Sequence, residues 1–211
     1  HMTTYIEAIL RVYNRYGRRD NLYKARIKIL VKALGAREFA RQVEQEWEFL
    51  RDGPGTLTEE ELARVGAYFT APDYSPLAGD EAVFTRDLNE DRGFARWAER
   101  ACRPHRVTGY RAVVLSLKKT GVPPGDATAE QMEQVADWSE RFGFGEIRVS
   151  HEQNLILPDV RAGSLYPMWH EARRNGLATP NLGLLTDMIV CPGGDFCSLA
   201  NAKSIPIAEA I

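Results

Sequence analysis

The chain has 211 residues, of which 44% are hydrophobic and 27% charged, a globular composition sufficient for one large domain or two small ones. Its formal net charge of −2 gives no global attraction to nucleic acid or to anionic membranes, and no apolar run is long enough to span a bilayer. The first residues are charged throughout and do not form a secretory signal, so we expect a cytoplasmic protein. His1-Met2 is typical of a cloning scar, so the start of the chain need not be the natural one.

The first hundred residues are predicted to be helical, with a loose middle. Asp20 is a candidate cap for a helix whose apolar positions continue at helical spacing to Gly35. A second helix follows until the turn at Asp52-Gly53.

Further along, Thr58 with Glu61 forms a capping box and predicts a third helix to about Phe69. A loop rich in proline, glycine and aspartate is then expected as far as residue 88. The apolar spacing from Phe94 to Ala101 predicts a fourth helix.

The pattern changes near Pro104, where strands become the better interpretation. The run AVVLSL, between Arg106 and Lys119, predicts a buried strand. Thr128 with Gln131 is a second capping box and opens a helix that we expect to end at Gly143.

The next segments complete a recognisable order. The stretches 146–149 and 154–157 indicate a hairpin, 164–175 a helix, and Asp187 to Val190 a returning strand. These elements give the order β-α-β-β-α-β, with the last strand at Asp187 to Val190, directly after residues 104–186. This is the order of a ferredoxin-like split βαβ unit. We therefore predict an α+β fold, with a helical region at 3–103 ahead of this half-domain.

RNA-recognition modules share this order, and RFGFG, beginning at Arg141, superficially resembles their aromatic motif. In those modules the motif lies on the third strand, whereas here it ends the first helix of the unit. With the acidic net charge as well, we expect no nucleic-acid partner.

Two of the three cysteines lie in CPGGDFC, from Cys191 to Cys197. An odd cysteine count without a signal argues against a disulfide framework, and the C-x5-C spacing does not match zinc ribbons. Taken alone, the two residues are either idle or buried thiols, or two of the four thiolates that an iron–sulfur cube requires.

Four segments resemble the siroheme-dependent sulfite and nitrite reductases, and they occur in that family's order. They are YGRRDNLYKARIKILVKALGAREFARQVE, PHRVTGYRAVVLSLKKTG, EIRVSHEQNLILPDV and CPGGDFCSLANAKSIPIAEAI. In the family, a C-x5-C pair precedes a C-x3-C pair, and the four cysteines hold a [4Fe–4S] cluster, one of them bridging it to the siroheme iron.

The resemblance implies that Cys191 and Cys197 are metal ligands whose two partners lie beyond Ile211, so that the chain is an internal fragment. It places 104–186 as one ferredoxin-like half-domain and 187–211 as the truncated start of the cluster domain. The region 3–103 would be the end of the central domain plus a linker. Residues 53–88 match nothing in the family.

The implied parent activity is six-electron reduction of sulfite to sulfide, with nitrite to ammonia as the alternative and a ferredoxin or flavoprotein as electron donor. Arg148, Gln153 and Asn154 resemble a strand and turn near the macrocycle and are the candidate cofactor-binding residues. We expect neither siroheme nor a cluster on this chain alone, nor activity from it. A cofactor-less scaffold domain of the same fold is the remaining alternative.

Other conspicuous residues have simpler interpretations. The basic cluster between residues 15 and 32 is interpreted as a solvated helix face. His105, His151 and His170 lack metal-ligand spacing and are expected to be surface or packing residues, and Cys102 to pack as a small hydrophobe.

Overall fold

The computed structural model describes every residue from His1 to Ile211, in two compact units, His1–Ala71 and Pro72–Ile211. No helix is both long and apolar enough to cross a membrane. The predicted boundary between residues 103 and 104 falls inside a strand of the second unit. The division comes earlier because two helices ahead of this strand pack aromatic side chains into the core around the sheet.

The first unit is helical, as the sequence predicts. Its helices are α1 (Met2–Tyr16), α2 (Ile27–Leu34), α3 (Ala36–Glu48) and α4 (Glu59–Gly66). Ala8 and Val12 of α1 pack against Val43 of α3 in a small core. The pairing of α1 with α3 therefore holds this unit together, and the sequence pattern did not single out α1.

The predicted helix after Asp20 starts later than expected. The Arg18 guanidinium donates to the Asp20 carboxylate at 2.6 Å, and Asn21 caps a separate 3₁₀ turn, so α2 begins only at Ile27. Gly35 ends α2 with a φ of 85°, as predicted, because glycine tolerates this left-handed region.

In the middle of the chain one prediction is confirmed and one is wrong. Thr58 accepts a hydrogen bond from the Glu61 amide at 3.1 Å and caps α4. The long loop expected up to residue 88 is instead interrupted by α5 (Ala78–Glu90). Phe84 and Leu88 lie one turn apart and reach the core, but a first turn containing glycine and acidic residues obscured the pattern.

The second unit is built on a four-stranded antiparallel sheet in the order β1-β2-β4-β3. The strands are β1 (Cys102–Pro104), β2 (Tyr110–Leu115), β3 (Arg148–Val149) and β4 (Leu155–Arg161). The longer helices are α5, α6 (Arg92–Ala101), α7 (Ala129–Phe142) and α8 (Leu165–Arg174), and a short α9 (Ile205–Glu209) lies near the end. The order β2-α7-β3-β4-α8 matches the first five elements of the predicted ferredoxin-like arrangement, and the α+β fold class is confirmed.

The strand expected at Asp187 to Val190 does not form. Asp187 ends a 3₁₀ turn, and the edge of β2 that faces away from β4 is occupied by β1. Both backbone groups of Val190 bond instead to the side-chain amide of Gln153. In the segment predicted to be a strand, the backbone N–H and carbonyl of Val190 thus bond to a side chain rather than to a neighbouring strand.

The helices around the sheet enclose an aromatic core. Trp97, Trp138 and Phe94 are fully buried, and the Trp138 indole donates to the Glu171 carboxylate at 2.8 Å. The predicted capping box of α7 is present, with Thr128 and its partner bonding reciprocally. This core holds β2 and β4 in place, and the candidate site begins where β2 ends and the antiparallel β4 starts.

Candidate functional site

A buried lysine at the end of β2 organises the approach to the cysteine loop. The side chain of Lys118 is 1% exposed, and its ammonium lies 2.7 Å from a carboxylate oxygen of Asp187 while also donating to the Glu152 carbonyl. Asn154 donates to the same carboxylate oxygen at 3.0 Å and accepts from the Leu117 amide at 3.2 Å. Burial by itself would raise the pKa of Asp187, but the hydrogen bonds from Lys118 and Asn154 outweigh it and hold that pKa below its usual value.

A second layer of polar side chains completes this network. The Ser116 hydroxyl donates to the Asn181 amide oxygen at 2.7 Å, and the Asn181 amide donates to the carbonyls of Lys118 and Thr186 at 2.9 and 3.2 Å. In the whole chain, the one buried side-chain polar atom without a partner is Oε1 of Gln42, in the other unit. The network is therefore fully satisfied, the condition under which buried polar groups rigidify a structure.

Gln153 holds the residue that immediately precedes the first cysteine of the loop. Its amide nitrogen donates to the Val190 carbonyl at 2.8 Å, and its amide oxygen accepts from the Val190 N–H at 2.9 Å. Gln153 has a φ of 59°, the one non-glycine residue with positive φ. The residue before Cys191 is thus held by hydrogen bonds at both its backbone N–H and its carbonyl.

The cysteine loop is closed by the residues that follow it. The Gly194 amide donates to the Ala202 carbonyl at 2.8 Å, and the Ser204 hydroxyl donates to the Cys191 carbonyl at 2.6 Å. These two bonds fold residues 202–204 back against the loop. The loop has a defined shape without any disulfide, since all three cysteines are free.

Gly193 is required by this shape. Its φ is 61°, and a Cβ built there would lie 2.5 Å from the Ser204 hydroxyl and 2.7 Å from the Ala202 carbonyl oxygen. The Cys197 amide donates to the Gly193 carbonyl at 2.9 Å, which turns the chain back toward the second thiol. Only glycine fits both the backbone conformation and the space.

The thiols differ in their surroundings. Cys191 is exposed and both Cys197 and Cys102 are half-buried, but Cys102 packs against the core of the second unit. Burial raises the pKa of the Cys102 thiol to about 12, so it is a poor ligand and a poor nucleophile. Cys191 and Cys197 remain as the accessible pair.

The donor set of the loop fits half of an iron–sulfur cube. Two accessible thiols on a glycine-rich loop are suited to two corners of a cluster that takes four thiolates. No group of three or more His, Cys, Asp or Glu side chains converges anywhere in the chain. The remaining ligands of such a cluster would have to be supplied by residues outside this sequence.

The predicted macrocycle-binding residues are not brought together as a set. Arg148 is exposed on the edge strand β3 and pairs with Glu146 at 2.6 Å. Gln153 and Asn154 bond to the chain that leads into Cys191, as described above. Contact of these three residues with siroheme stays a prediction.

Sequence reasoning did not identify Lys118 or Asp187, although one signal was available. Lys118 directly follows the apolar run of β2, and a lysine that continues a buried strand needs a partner for its charge. That partner lies 69 positions away, so local pattern could not name it.

A second polar cluster lies at the other end of the sheet. Asp159 accepts from the Tyr74 hydroxyl at 2.7 Å and lies 3.0 Å from Nε2 of His105, whose Nδ1 accepts from the Val107 amide at 2.9 Å. Burial and the bond to Asp159 raise the pKa of Tyr74. His105 therefore serves packing and hydrogen bonding, as predicted.

Two family models match the chain. The model described as the nitrite and sulphite reductase 4Fe-4S domain matches residues 1–50, and the nitrite/sulfite reductase ferredoxin-like half domain matches residues 119–175. The second match covers α7, β3, β4 and all of α8. The first contains no cysteine, and the loop Cys191–Cys197 lies outside both matches. The assignment of that loop as a cluster site thus depends on its own sequence and geometry.

Relatives with assigned names match nearly the whole chain at low identity. Chloroplastic ferredoxin–nitrite reductases are 25% identical over 92% of the chain in Arabidopsis thaliana and 26% identical over 97% in Zea mays. The sulfite reductase [NADPH] hemoprotein beta-component of Methylorubrum extorquens is 25% identical over 94% of the chain. The chain spans 28%, 31% and 26% of these three relatives, respectively.

Proposed function

Because this chain belongs to the nitrite and sulfite reductase family, we propose that it is part of a siroheme- and [4Fe–4S]-dependent reductase in which Cys191 and Cys197 supply two cluster thiolates. The observation that carries this proposal is the pair of free, accessible thiols on a glycine loop, entered from a rigid, fully hydrogen-bonded support. In domain terms, we propose that 104–186 is the half-domain and that the cluster domain begins at 187.

The residues of the chain have defined tasks in this proposal. Cys191 and Cys197 would hold two corners of the cluster as thiolates, and Gly193 would allow the tight turn that brings the chain back from the first cysteine to the second. The network around Lys118 and Asp187 fixes the segment from which the first thiolate projects. When bound, the cluster and siroheme together supply electron transfer and a metal at which an oxyanion is reduced.

We propose nitrite, reduced to ammonia, as the first candidate substrate. The plant relatives are named as ferredoxin–nitrite reductases, and on that basis we propose nitrite as substrate and reduced ferredoxin as electron donor. The sequence resemblance put sulfite first. Sulfite remains the second candidate because the Methylorubrum relative is a sulfite reductase component that matches a similar share of the chain.

The test begins with the gene. Its sequence downstream of the codon for Ile211 is read for a C-x3-C pair, and the full-length product is purified anaerobically. Its rates of nitrite and sulfite consumption with reduced ferredoxin are then compared as kcat/KM values. We expect a preference of at least about tenfold for nitrite. The opposite preference would establish sulfite.

A full-length product without a second cysteine pair, iron or consumption of either anion would overturn the reductase proposal. It would favour the cofactor-less scaffold. Cys102 lies outside the loop, so the substitution Cys102→Ser should leave the rates of nitrite and sulfite consumption unchanged.

A further inference from the structure

The side chain of Gln153 occupies the place that a neighbouring strand would take beside Val190. A strand partner bonds to the N–H and the carbonyl of the same residue, and the Gln153 amide makes this pair of contacts at 2.9 and 2.8 Å. Val190 is 7% exposed and directly precedes Cys191. The contact therefore fixes the peptide plane on the N-terminal side of the first thiol.

Gln153 occupies the left-handed position of the hairpin turn between β3 and β4, in which its amide donates to the Ser150 carbonyl at 3.1 Å and the Ser150 amide donates to the Asn154 carbonyl at 2.9 Å. A φ of 59° is uncommon for a residue with a Cβ, and glycine or asparagine would adopt it more readily. The neighbouring Gly125 leaves room for this side chain, because a Cβ there would lie 3.1 Å from Gln153 Cβ and 3.3 Å from its amide oxygen. Gly125 also has a φ of 90°, so this glycine serves both its own backbone and the space for the Gln153 side chain.

We propose that Gln153 is a positioning residue for Cys191, holding the first thiolate of the cluster loop through the backbone of Val190. This inference rests on the proposed function, since the direction of Cys191 matters for a cluster only if Cys191 is a ligand. It differs from the role that the family resemblance suggested for Gln153, which was contact with the macrocycle. In this chain both polar atoms of its side-chain amide are already engaged by Val190.

The contact is tested first without iron. In a Cys197→Ser background, a nitroxide on Cys191 reports the mobility of the first thiol, and hydrogen exchange reports the Val190 amide. We expect Gln153→Ala to narrow the nitroxide spectrum and to accelerate exchange of the Val190 amide by about tenfold or more. Gln134→Ala, which removes a half-buried glutamine amide from α7, is the matched control and should change neither signal.

Two further variants separate the amide from the strain. Gln153→Gly removes the side chain and also relieves the positive φ, so it should fold well and still free the label. Gln153→Glu keeps an acceptor for the Val190 N–H but, when ionised, has no donor for the carbonyl, so its effect should be intermediate. Unchanged label mobility and unchanged Val190 exchange in both Gln153→Ala and Gln153→Gly would overturn the proposal.

The full-length protein separates this proposal from the proposed function. If Gln153 positions a ligand, Gln153→Gly should shift the electron paramagnetic resonance spectrum of the reduced cluster while iron content stays near that of the parent. If Gln153→Gly leaves the spectrum unshifted while cluster assembly still requires Cys191, the positioning role of Gln153 is contradicted and the proposed function is not. Iron content that does not change in Cys191→Ser would contradict the proposed function, whatever Gln153 does.

Discussion

The chain up to Val190 and the loop that begins at Cys191 are stabilised in opposite ways. Before the loop, buried polar side chains such as Lys118 and Asn154 have partners, and an aromatic core surrounds the sheet. From Cys191 onward, apolar side chains face solvent: Phe196 in the loop and Leu199 just after it are 79% and 71% exposed. The segment that supports the loop is therefore stabilised by its own contacts, whereas the loop exposes Cys191 and apolar side chains to solvent.

This difference gives the proposed ligands a physical setting. A thiolate that is to meet a cluster must be accessible, yet it must also be pre-positioned, because every degree of freedom left to it opposes binding. The hydrogen-bonded segment up to Val190 positions the thiolate, and the exposed loop from Cys191 keeps it accessible. The following predictions test whether the change from rigid support to exposed loop occurs between Val190 and Cys191.

The largest expected difference is in the rate of alkylation, between Cys102 before the loop and the two cysteines within it. At pH 8 the Cys102 thiol, with a pKa of about 12, should contain about a thousandfold less thiolate than an ordinary cysteine and should be alkylated correspondingly slowly. Cys191 and Cys197 should react rapidly with iodoacetamide, as followed by mass spectrometry. In denaturant all three should react alike, and equally fast modification of Cys102 in the native chain would contradict the assigned burial.

Removing the buried ammonium should unfold the support. Lys118→Met leaves the Asp187 carboxylate without its cationic partner and should lower the free energy of unfolding by about 3–5 kcal/mol. Chemical denaturation followed by tryptophan fluorescence measures the change. Lys119→Met, at the adjacent exposed position, is the matched control and should cost less than about 0.5 kcal/mol.

Acid should lower the stability of the second unit. Hydrogen bonds from Arg141 hold the pKa of Glu171 below its usual value, and those from Lys118 and Asn154 do the same for Asp187 against the effect of burial. A carboxyl whose pKa is depressed in the folded state stabilises the protein above its unfolded pKa, and that stability is lost as pH falls through the folded pKa. The free energy of unfolding should thus be level near neutrality and fall below about pH 5. Glu171→Gln should flatten part of this dependence, and an unchanged profile would refute the assignment.

The smallest global effect is expected in the loop. Gly193→Ala forces a Cβ against the Ser204 hydroxyl and into a positive φ, at a local cost of about 1–2 kcal/mol. Because few contacts tie the loop to the core, the global unfolding free energy should barely change, while hydrogen exchange of the Gly194 amide should accelerate. Gly194→Ala, where a Cβ would approach no closer than 3.4 Å, should leave the loop intact.

How much of this arrangement the sequence could predict depends on how local the determining contacts are. Thr128 with its partner three residues later predicted the start of α7, and the apolar run after Arg111 predicted β2. The cysteine pair was visible in the sequence because the loop contains its own signal. These features need no information from elsewhere in the chain.

The support of the loop could not be predicted in the same way. The segment before Cys191 has the composition of a strand, but its partner is the side chain of Gln153, 37 positions away. Lys118 is buried because Asp187 lies beside it in the fold, and neither residue indicates the other in sequence. Long-range side-chain pairs of this kind carry no periodicity, so the sequence pattern indicates the two candidate cysteines but not the side chains that support them.

The most direct test of the account is the iron and acid-labile sulfide content of the anaerobically purified full-length protein with Cys191→Ser, Cys197→Ser or Cys102→Ser. If Cys191 and Cys197 are cluster ligands, the unmodified protein and Cys102→Ser should contain about four iron and four sulfide per chain, beyond any siroheme iron. The two loop variants should lose both. Full iron and sulfide in Cys191→Ser and Cys197→Ser would contradict this assignment, because the loop would then hold no cluster ligand.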